Sequence, residues 1–312
     1  MSLLTPSLTP PHLPSHLPKK ALVLGGKGGL LGRAVAVALT KAGVATLAVS
    51  GADVDYFDLD ALDDFLDAQE HEGDGPDTVA VDCIINAVAY TQVDKAEDQP
   101  EEAYRLNASL PALLGVLAEE RELRLVHFST DFVFDGQKGA PCLPTDKPNP
   151  LSVYGASKLA GEEALQALDI PELLILRTAW LFGPGKTNFV QRILELAAER
   201  KELKVVADQF GSPTCTTDLA RLTVALLQNG ATGLLHAANS GQASWHELAA
   251  EAVRLAGLDC RLLAIPTSGY PTRAPRPSNS VLDITDTVRL AGYTPRHWRE
   301  ALAEYVSSFP TI

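Results

Sequence analysis

Short apolar runs alternate with helix-period stretches through the first half of the chain. Residues 21–24 are continuously apolar and lead into a glycine cluster, and 30–42 then repeat apolar positions at helical spacing. A β-branched run follows at 44–49, a helical stretch at 62–68, a third strand at 81–87 and a long helix at 100–120. The series continues with a strand at 123–128, a Pro-rich loop at 141–150, a helix at 153–168 and a fifth strand at 172–176. Strands this short and uniformly apolar are buried on both faces. Their alternation with helices predicts right-handed βαβ crossovers into a parallel sheet. After 180–186 the pattern loosens, with helices expected at 189–200, 218–228, 245–255 and 298–306 among a few strands. The fold class is α/β: a Rossmann-like doubly wound parallel sheet over 20–180 and a smaller mixed α/β C-terminal substrate lobe, mainly 181–312.

Composition narrows the function classes. A length of 312 residues suits one large or two modest domains, at roughly 100–200 residues each. Residues 1–19 carry Pro6, Pro10, Pro11, Pro14 and Pro18 without a basic start or a continuous apolar segment, so they read as a disordered or extended arm, not a secretory signal. No apolar run reaches the length of about 18 residues that a membrane-spanning helix needs. Counting 26 basic against 39 acidic residues gives a net charge of −13, which disfavours a nucleic-acid surface. Cys83, Cys142, Cys215 and Cys260 are scattered, with no Cys-x-x-Cys. They read as reduced thiols of a cytoplasmic protein, not as a metal site or a disulfide frame.

Two motifs carry chemistry. Gly26, Gly29 and Gly32 form Gly-x-x-Gly-x-x-Gly between the first strand and first helix, a turn that lets backbone N–H groups approach a pyrophosphate at a helix N-terminus. Asp58 and Leu59, after the second strand, are candidates for the adenine edge. Residues 49–51 offer neither an acid for a ribose 2′-hydroxyl nor an arginine for a 2′-phosphate, and Ser50 suits either, so the expected cofactor is NADPH with NADH admitted. Further on, Tyr154 and Lys158 stand four residues apart at the start of a helix, which puts phenol and ammonium on one face. Thr130 ends the fourth strand, where open α/β sheets bind ligands, and its hydroxyl is placed to bond the oxygen that Tyr154 protonates.

These residues, with the runs 85–97, 129–136, 149–155, 157–162, 176–180, 207–214 and 276–280, resemble the dTDP-4-dehydrorhamnose reductases of the extended short-chain dehydrogenase/reductase superfamily. The resemblance spans about residues 20–305 in family order. It implies reduction of the 4-keto group of dTDP-4-dehydro-6-deoxy-L-mannose to dTDP-L-rhamnose. By position, Tyr154 is the proton donor, Lys158 orients the nicotinamide ribose and lowers the tyrosine pKa, and Thr130 bonds the carbonyl. The resemblance lines the cofactor with Gly29, Leu30, Leu31, Asp58, Leu59, Ala89, Tyr90, Thr91 and Phe128, and puts Asp131 and Trp180 at the sugar. Arg276 and Arg273 are the candidates for the nucleotide diphosphate, with an exposed loop charge as the competing reading of each.

Departures from that pattern shape the remaining expectations. Position 132 is Phe where the family usually has Tyr. Some family members dimerise around a magnesium held by acidic side chains, yet Arg33-Ala34 and Cys215-Thr216-Thr217 supply no acid, so no such metal and a monomer are expected. Asp131 is followed by Phe132 and not by the glutamate that sugar-nucleotide dehydratases use, which argues against dehydration. The alternatives are another nucleotide-sugar 4-ketoreductase or epimerase, and a non-catalytic regulatory subunit resembling the methionine adenosyltransferase β subunit. His127 reads as a packed core histidine, and Ser244 before Trp245 and His246 as a helix cap.

Overall fold

A computed structural model describes residues 16–71 and 79–309. The expected N-terminal arm lies outside these residues up to position 15. The first half runs β1 (Lys20–Leu24), α1 (Leu30–Lys41), β2 (Ala45–Val49), α2 (Leu59–His71), β3 (Cys83–Asn86), α3 (Val93–Ala96), α4 (Pro100–Tyr104), α5 (Leu110–Glu120), β4 (Arg124–Thr130), α6 (Val153–Gln166) and β5 (Leu173–Thr178). The second half runs β6 (Leu181–Phe182), α7 (Phe189–Glu199), β7 (Glu202–Val206), β8 (Phe210–Gly211), β9 (Thr214–Cys215), α8 (Thr216–Gln228), β10 (Gly233–His236), β11 (Ala243–Ser244), α9 (Trp245–Leu255), β12 (Arg261–Ile265), α10 (Thr285–Ala291) and α11 (Trp298–Ser307).

Six parallel strands form the central sheet in the order β10-β5-β4-β3-β1-β2. The order reverses between β1 and β3, and ligands of such sheets bind at the carboxyl ends of the strands beside that reversal. Strand alternation divides the core. Ala21, Val23, Cys83, Ile85, Val126, Phe128, Leu174 and Leu176 face α1 and α8, whereas Leu22, Leu24, Ile84, Leu125 and Ile175 face α2, α5 and α6. The sixth strand comes from residues 233–236, beyond the expected boundary at 180, and α8 packs on α1. The chain thus returns to the sheet after starting the second lobe, because β5 would otherwise be an uncovered apolar edge.

The expected helix at 100–120 is three pieces. Pro111 has no N–H for the Asn107 carbonyl, and the backbone widens into a π-turn at Arg105–Ser109, closed by Leu110 N–H on the Arg105 carbonyl. A separate core unites Phe182, Val190, Leu194, Leu248, Trp298 and Leu302 in the C-terminal lobe. Ser244 caps α9 in a reciprocal box with Glu247, as the sequence predicted.

Candidate active site

The glycine turn shows why it excludes side chains. Gly25 holds φ +76°, and a Cβ on Gly29 or Gly32 would stand 2.7 or 2.4 Å from the Gly25 carbonyl oxygen. A Cβ on Gly28 would meet nothing within 4 Å, so that side of the turn is open. Gly29 caps α1 without a side-chain hydrogen bond and no acid stands in the first turn, which leaves donors and partial positive charge available to an anion. These residues fit a dinucleotide pyrophosphate. Gly26 is packed on Ala48 and the Val23 carbonyl, and the Leu31 side chain lies in the core; both bear on the turn's shape, while Leu30 is half-buried at its rim.

Other expected cofactor residues are held by the framework. Asp58 is exposed and its Oδ1 accepts from Ala61 N–H at 3.0 Å, capping α2, with Leu59 half-buried beside it. In the loop of Ala89, Tyr90 and Thr91, both backbone groups of Tyr90 are bound by Asn107: Oδ1 accepts its N–H at 2.8 Å and Nδ2 donates to its carbonyl at 3.1 Å. The Tyr90 hydroxyl donates to Gln99 at 2.7 Å, so the side chain is an anchor and only Thr91 is exposed. Asn107 escaped sequence reading because its role depends on the π-turn.

The end of β2 differs from expectation. Residues 49–51 contain no acid, but a turn brings Asp53 back, where Oδ2 accepts from Ser50 N–H at 2.8 Å and Ser50 Oγ at 2.7 Å. Lys27 of the glycine turn forms an ion pair with the same carboxylate and, with the Ser50 bonds, lowers it to about 2. A carboxylate therefore does stand at this strand end, paired with a cation.

Thr130 closes β4, and Ser152 caps α6 by accepting from Gly155 N–H at 3.1 Å, so Tyr154 enters in the first helical turn. Gly155 and Gly161 let α6 come close: a Cβ on each would lie 2.2 and 2.1 Å from the carbonyl oxygens of Phe132 and Asn107. Tyr154 packs edge-on against Phe132, with centroids 5.6 Å apart. Burial raises the phenol to about 12; Thr130's hydrogen bond pulls it down and the Asp131 charge raises it.

The sequence led us to expect a phenol lowered by Lys158; in the cofactor-free structure burial dominates its shift. Lys158, 1% exposed, donates from Nζ to the Phe128 carbonyl at 2.6 Å and lies 3.2 Å from His127 Nε2. Its tip is thus engaged under β4, and burial brings it down to about 8. One turn on, Glu162 is bound by Arg177 at 2.6 Å and by the Ser129 hydroxyl. His127 is fully buried as expected, but it touches Lys158, which the sequence reading missed. Asn86, His127, Ser129 and Arg177 share the face that α6 covers, and polar residues at period two near strand ends were the available signal.

Of the residues expected at the sugar, Asp131 is buried and committed: Ser280 Oγ donates to it at 2.5 Å and Thr130 Oγ1 at 3.1 Å, while burial raises it to about 7. Trp180, at φ +49°, stacks on Trp245 at 3.5 Å. Trp245 in turn lines a cavity of about 730 Å³ with Phe189, Gln209, Tyr270 and four cations, Arg192, Arg200, Lys204 and Arg276. Arg276 is oriented by Asp94 at 2.7 and 3.1 Å. Arg273 pairs with Asp98 on the surface and does not line the cavity, so the surface reading fits it better. Arg192, Arg200 and Lys204 were not singled out in the sequence; nothing there joins α7 and β7 to Arg276. A smaller cavity of about 380 Å³, bordered by Arg33, Lys41 and Arg221, shares no lining residue with the first. Among the described residues no cluster of His, Cys, Asp or Glu could hold a metal ion, and no helix is long and apolar enough to cross a membrane.

The reversed strand order, the open glycine turn and a Tyr-x-x-x-Lys helix at the end of β4 define a dinucleotide-binding reductase of the short-chain kind. The profile of the RmlD substrate-binding domain matches residues 19–310, and the chain belongs to that family. A dTDP-4-dehydrorhamnose reductase of Mycolicibacterium smegmatis is 38% identical over 292 residues, covering 92% of this chain and 85% of the relative. The crystal structure of a dTDP-4-dehydrorhamnose reductase from Clostridium acetobutylicum superposes with a TM-score of 0.84 at 36% identity, covering 92% of this chain and 98% of the other. One from Bacillus anthracis, in complex with NADP, gives 0.85 at 29% identity over 93% and 99% of the two chains.

Proposed function

We propose that this chain reduces the 4-keto group of dTDP-4-dehydro-6-deoxy-L-mannose to give dTDP-L-rhamnose, with NADPH as cofactor and NADH admitted. One observation carries the reading: Tyr154 and a buried Lys158 stand one helical turn apart on α6, at the carboxyl end of β4 beside Thr130. The bound dinucleotide supplies the hydride that adds to C4. Tyr154 gives its phenolic proton to the oxygen, turning ketone to alcohol, and the Thr130 hydroxyl helps meet the developing negative charge. Lys158 orients the ribose, Gly26, Gly29, Leu30 and Gly32 cradle the pyrophosphate, and the loops of Asp58 and Ala89 border the adenosine and nicotinamide halves. The second lobe holds the nucleotide, with Arg276 at its diphosphate and Trp180 and Asp131 shaping the sugar end.

The reading includes cofactor preference and assembly. Asp53 favours a 2′-hydroxyl and Lys27 a 2′-phosphate, which supports use of both dinucleotides. Arg33, Lys41 and Arg221 give the α1–α8 face a basic character unsuited to a shared cation, which supports a monomer. Four free cysteines suit a reducing cytoplasm. The test is turnover of the purified chain with NADPH and the dTDP-4-ketosugar, the product's C4 configuration read by NMR. dTDP-L-rhamnose is expected. The C4 epimer would make it a different ketoreductase, and no turnover with cofactor bound would favour a regulatory subunit.

A further inference from the structure

A guanidinium has five N–H donors, and the partners of Arg276 take three of them. Asp94 accepts one hydrogen from Nη1 at 3.1 Å and one from Nη2 at 2.7 Å, meeting the tip of the group end-on. The second Nη1 hydrogen goes to the Ala274 carbonyl at 2.9 Å. Nε–H and the second Nη2 hydrogen remain, side by side along one edge, the fork that two oxygens of a phosphate match. Among the described residues no acceptor takes either hydrogen, and Arg276 lines the cavity of about 730 Å³. Asp94 is itself fixed. Its Oδ1 also accepts Ala274 N–H at 3.0 Å, so one carboxylate holds both Arg276 and the segment that carries it. On the same helix, α3, Ala96 is fully buried and Glu97 accepts the N–H of Val153, the first residue of α6, at 2.9 Å. α3 therefore ties Arg276 to the helix of Tyr154.

We propose that Asp94 is a positioning residue: it grips the tip of Arg276 so that the Nε edge is left to seat the substrate's diphosphate, at a place set relative to Tyr154. The ligand's identity rests on the ketoreductase reading above; the side-chain arrangement does not. The Arg276 hydrogen bonds hold the Asp94 carboxyl below the usual carboxylate range, so the grip is between full charges at neutral pH. Asp94 thereby offsets part of the Arg276 charge, and Arg192, Arg200 and Lys204, which line the same cavity, keep a field that favours an anion. The neighbouring pair of Asp98 and Arg273 joins the same two segments, but neither of its members lines the cavity.

The experiment titrates dTDP by calorimetry into protein saturated with NADP+, so that the cofactor site is already filled. If charge alone mattered, Asp94→Ala would remove a repelling carboxylate and tighten dTDP; positioning predicts a Kd raised about tenfold or more. That loss should vanish in an Arg276→Ala background, and KM for the dTDP-4-ketosugar should rise with kcat held within about twofold. Asp98→Ala removes the neighbouring exposed ion pair and should leave the dTDP Kd within about twofold. Tighter or unchanged binding in Asp94→Ala, the same loss without Arg276, or an equal loss in Asp98→Ala would each overturn the proposal. Should Asp94→Ala not fold, the isosteric Asp94→Asn decides by the same comparisons, since it loses half the grip and should still weaken dTDP. A wild type that shows the Asp94–Arg276 coupling but leaves the ketosugar unreduced would refute the reaction reading and leave the positioning supported. A wild type that takes NADP+ and no dTDP would overturn both.

Discussion

Burial and the Asp131 carboxyl hold the Tyr154 phenol at about 12, so at neutral pH it carries a proton, as the proposed reduction requires. Lys158, one helical turn on, has its Nζ tied to the Phe128 carbonyl and set beside His127. Beside the glycine turn, at the end of β2, Asp53 faces Lys27 and Ser50. Asp53→Ala should tighten NADPH and weaken NADH by about tenfold in relative Kd, read by fluorescence titration, because the carboxylate that repels a 2′-phosphate and binds a 2′-hydroxyl is gone. An unchanged ratio would remove Asp53 from cofactor choice. Tyr154, Lys158 and Thr130 were legible because a fixed spacing and a strand end place them. Asp53 and Asn107 were not, since each reaches its position through a turn that the linear order does not display.

At the scale of elements, α6 does the positioning, and its two close-packed glycines determine how near it comes. A Cβ on Gly161 would stand 2.1 Å from the Asn107 carbonyl oxygen of the π-turn, backbone that cannot rotate away as a side chain can. Gly161→Ala should therefore cost about 1–3 kcal/mol in chemical denaturation and raise KM for the cofactor, since Asn107 holds the Tyr90 loop. Wild-type stability in that variant would show the contact to be slack. The alternation of strands and helices through β5 was readable because doubly buried strands leave continuous apolar runs. The π-turn was not, although Pro111 signals it, because proline is also tolerated in a helix's first turn. β10 escaped notice because four residues between turns carry little periodicity.

For the whole molecule, buried titrating groups make stability depend on pH. His236, depressed to about 3, and His127, also well below 6.5, are proton-free when folded and take up protons on unfolding below 6.5. Asp131, raised to about 7 from 3.8, runs the other way, releasing its proton on unfolding within that interval. Two uptakes against one release leave about one proton gained on unfolding between roughly pH 4 and 6.5, so stability should fall by about 1.4 kcal/mol per unit of acidification. Urea denaturation across that range reads the slope, and His236→Phe should bring it near zero; a slope unaltered by that change would contradict the assignment. On the proposed reading, the sheet and the C-terminal elements bring a hydride donor, a keto sugar and one phenol together. The most direct test compares Tyr154→Phe with wild type, measuring NADPH affinity and the rate of NADPH consumption with the dTDP-4-ketosugar. Cofactor Kd should be unchanged while kcat falls by about a hundredfold or more. Equal turnover by the two proteins would contradict the account.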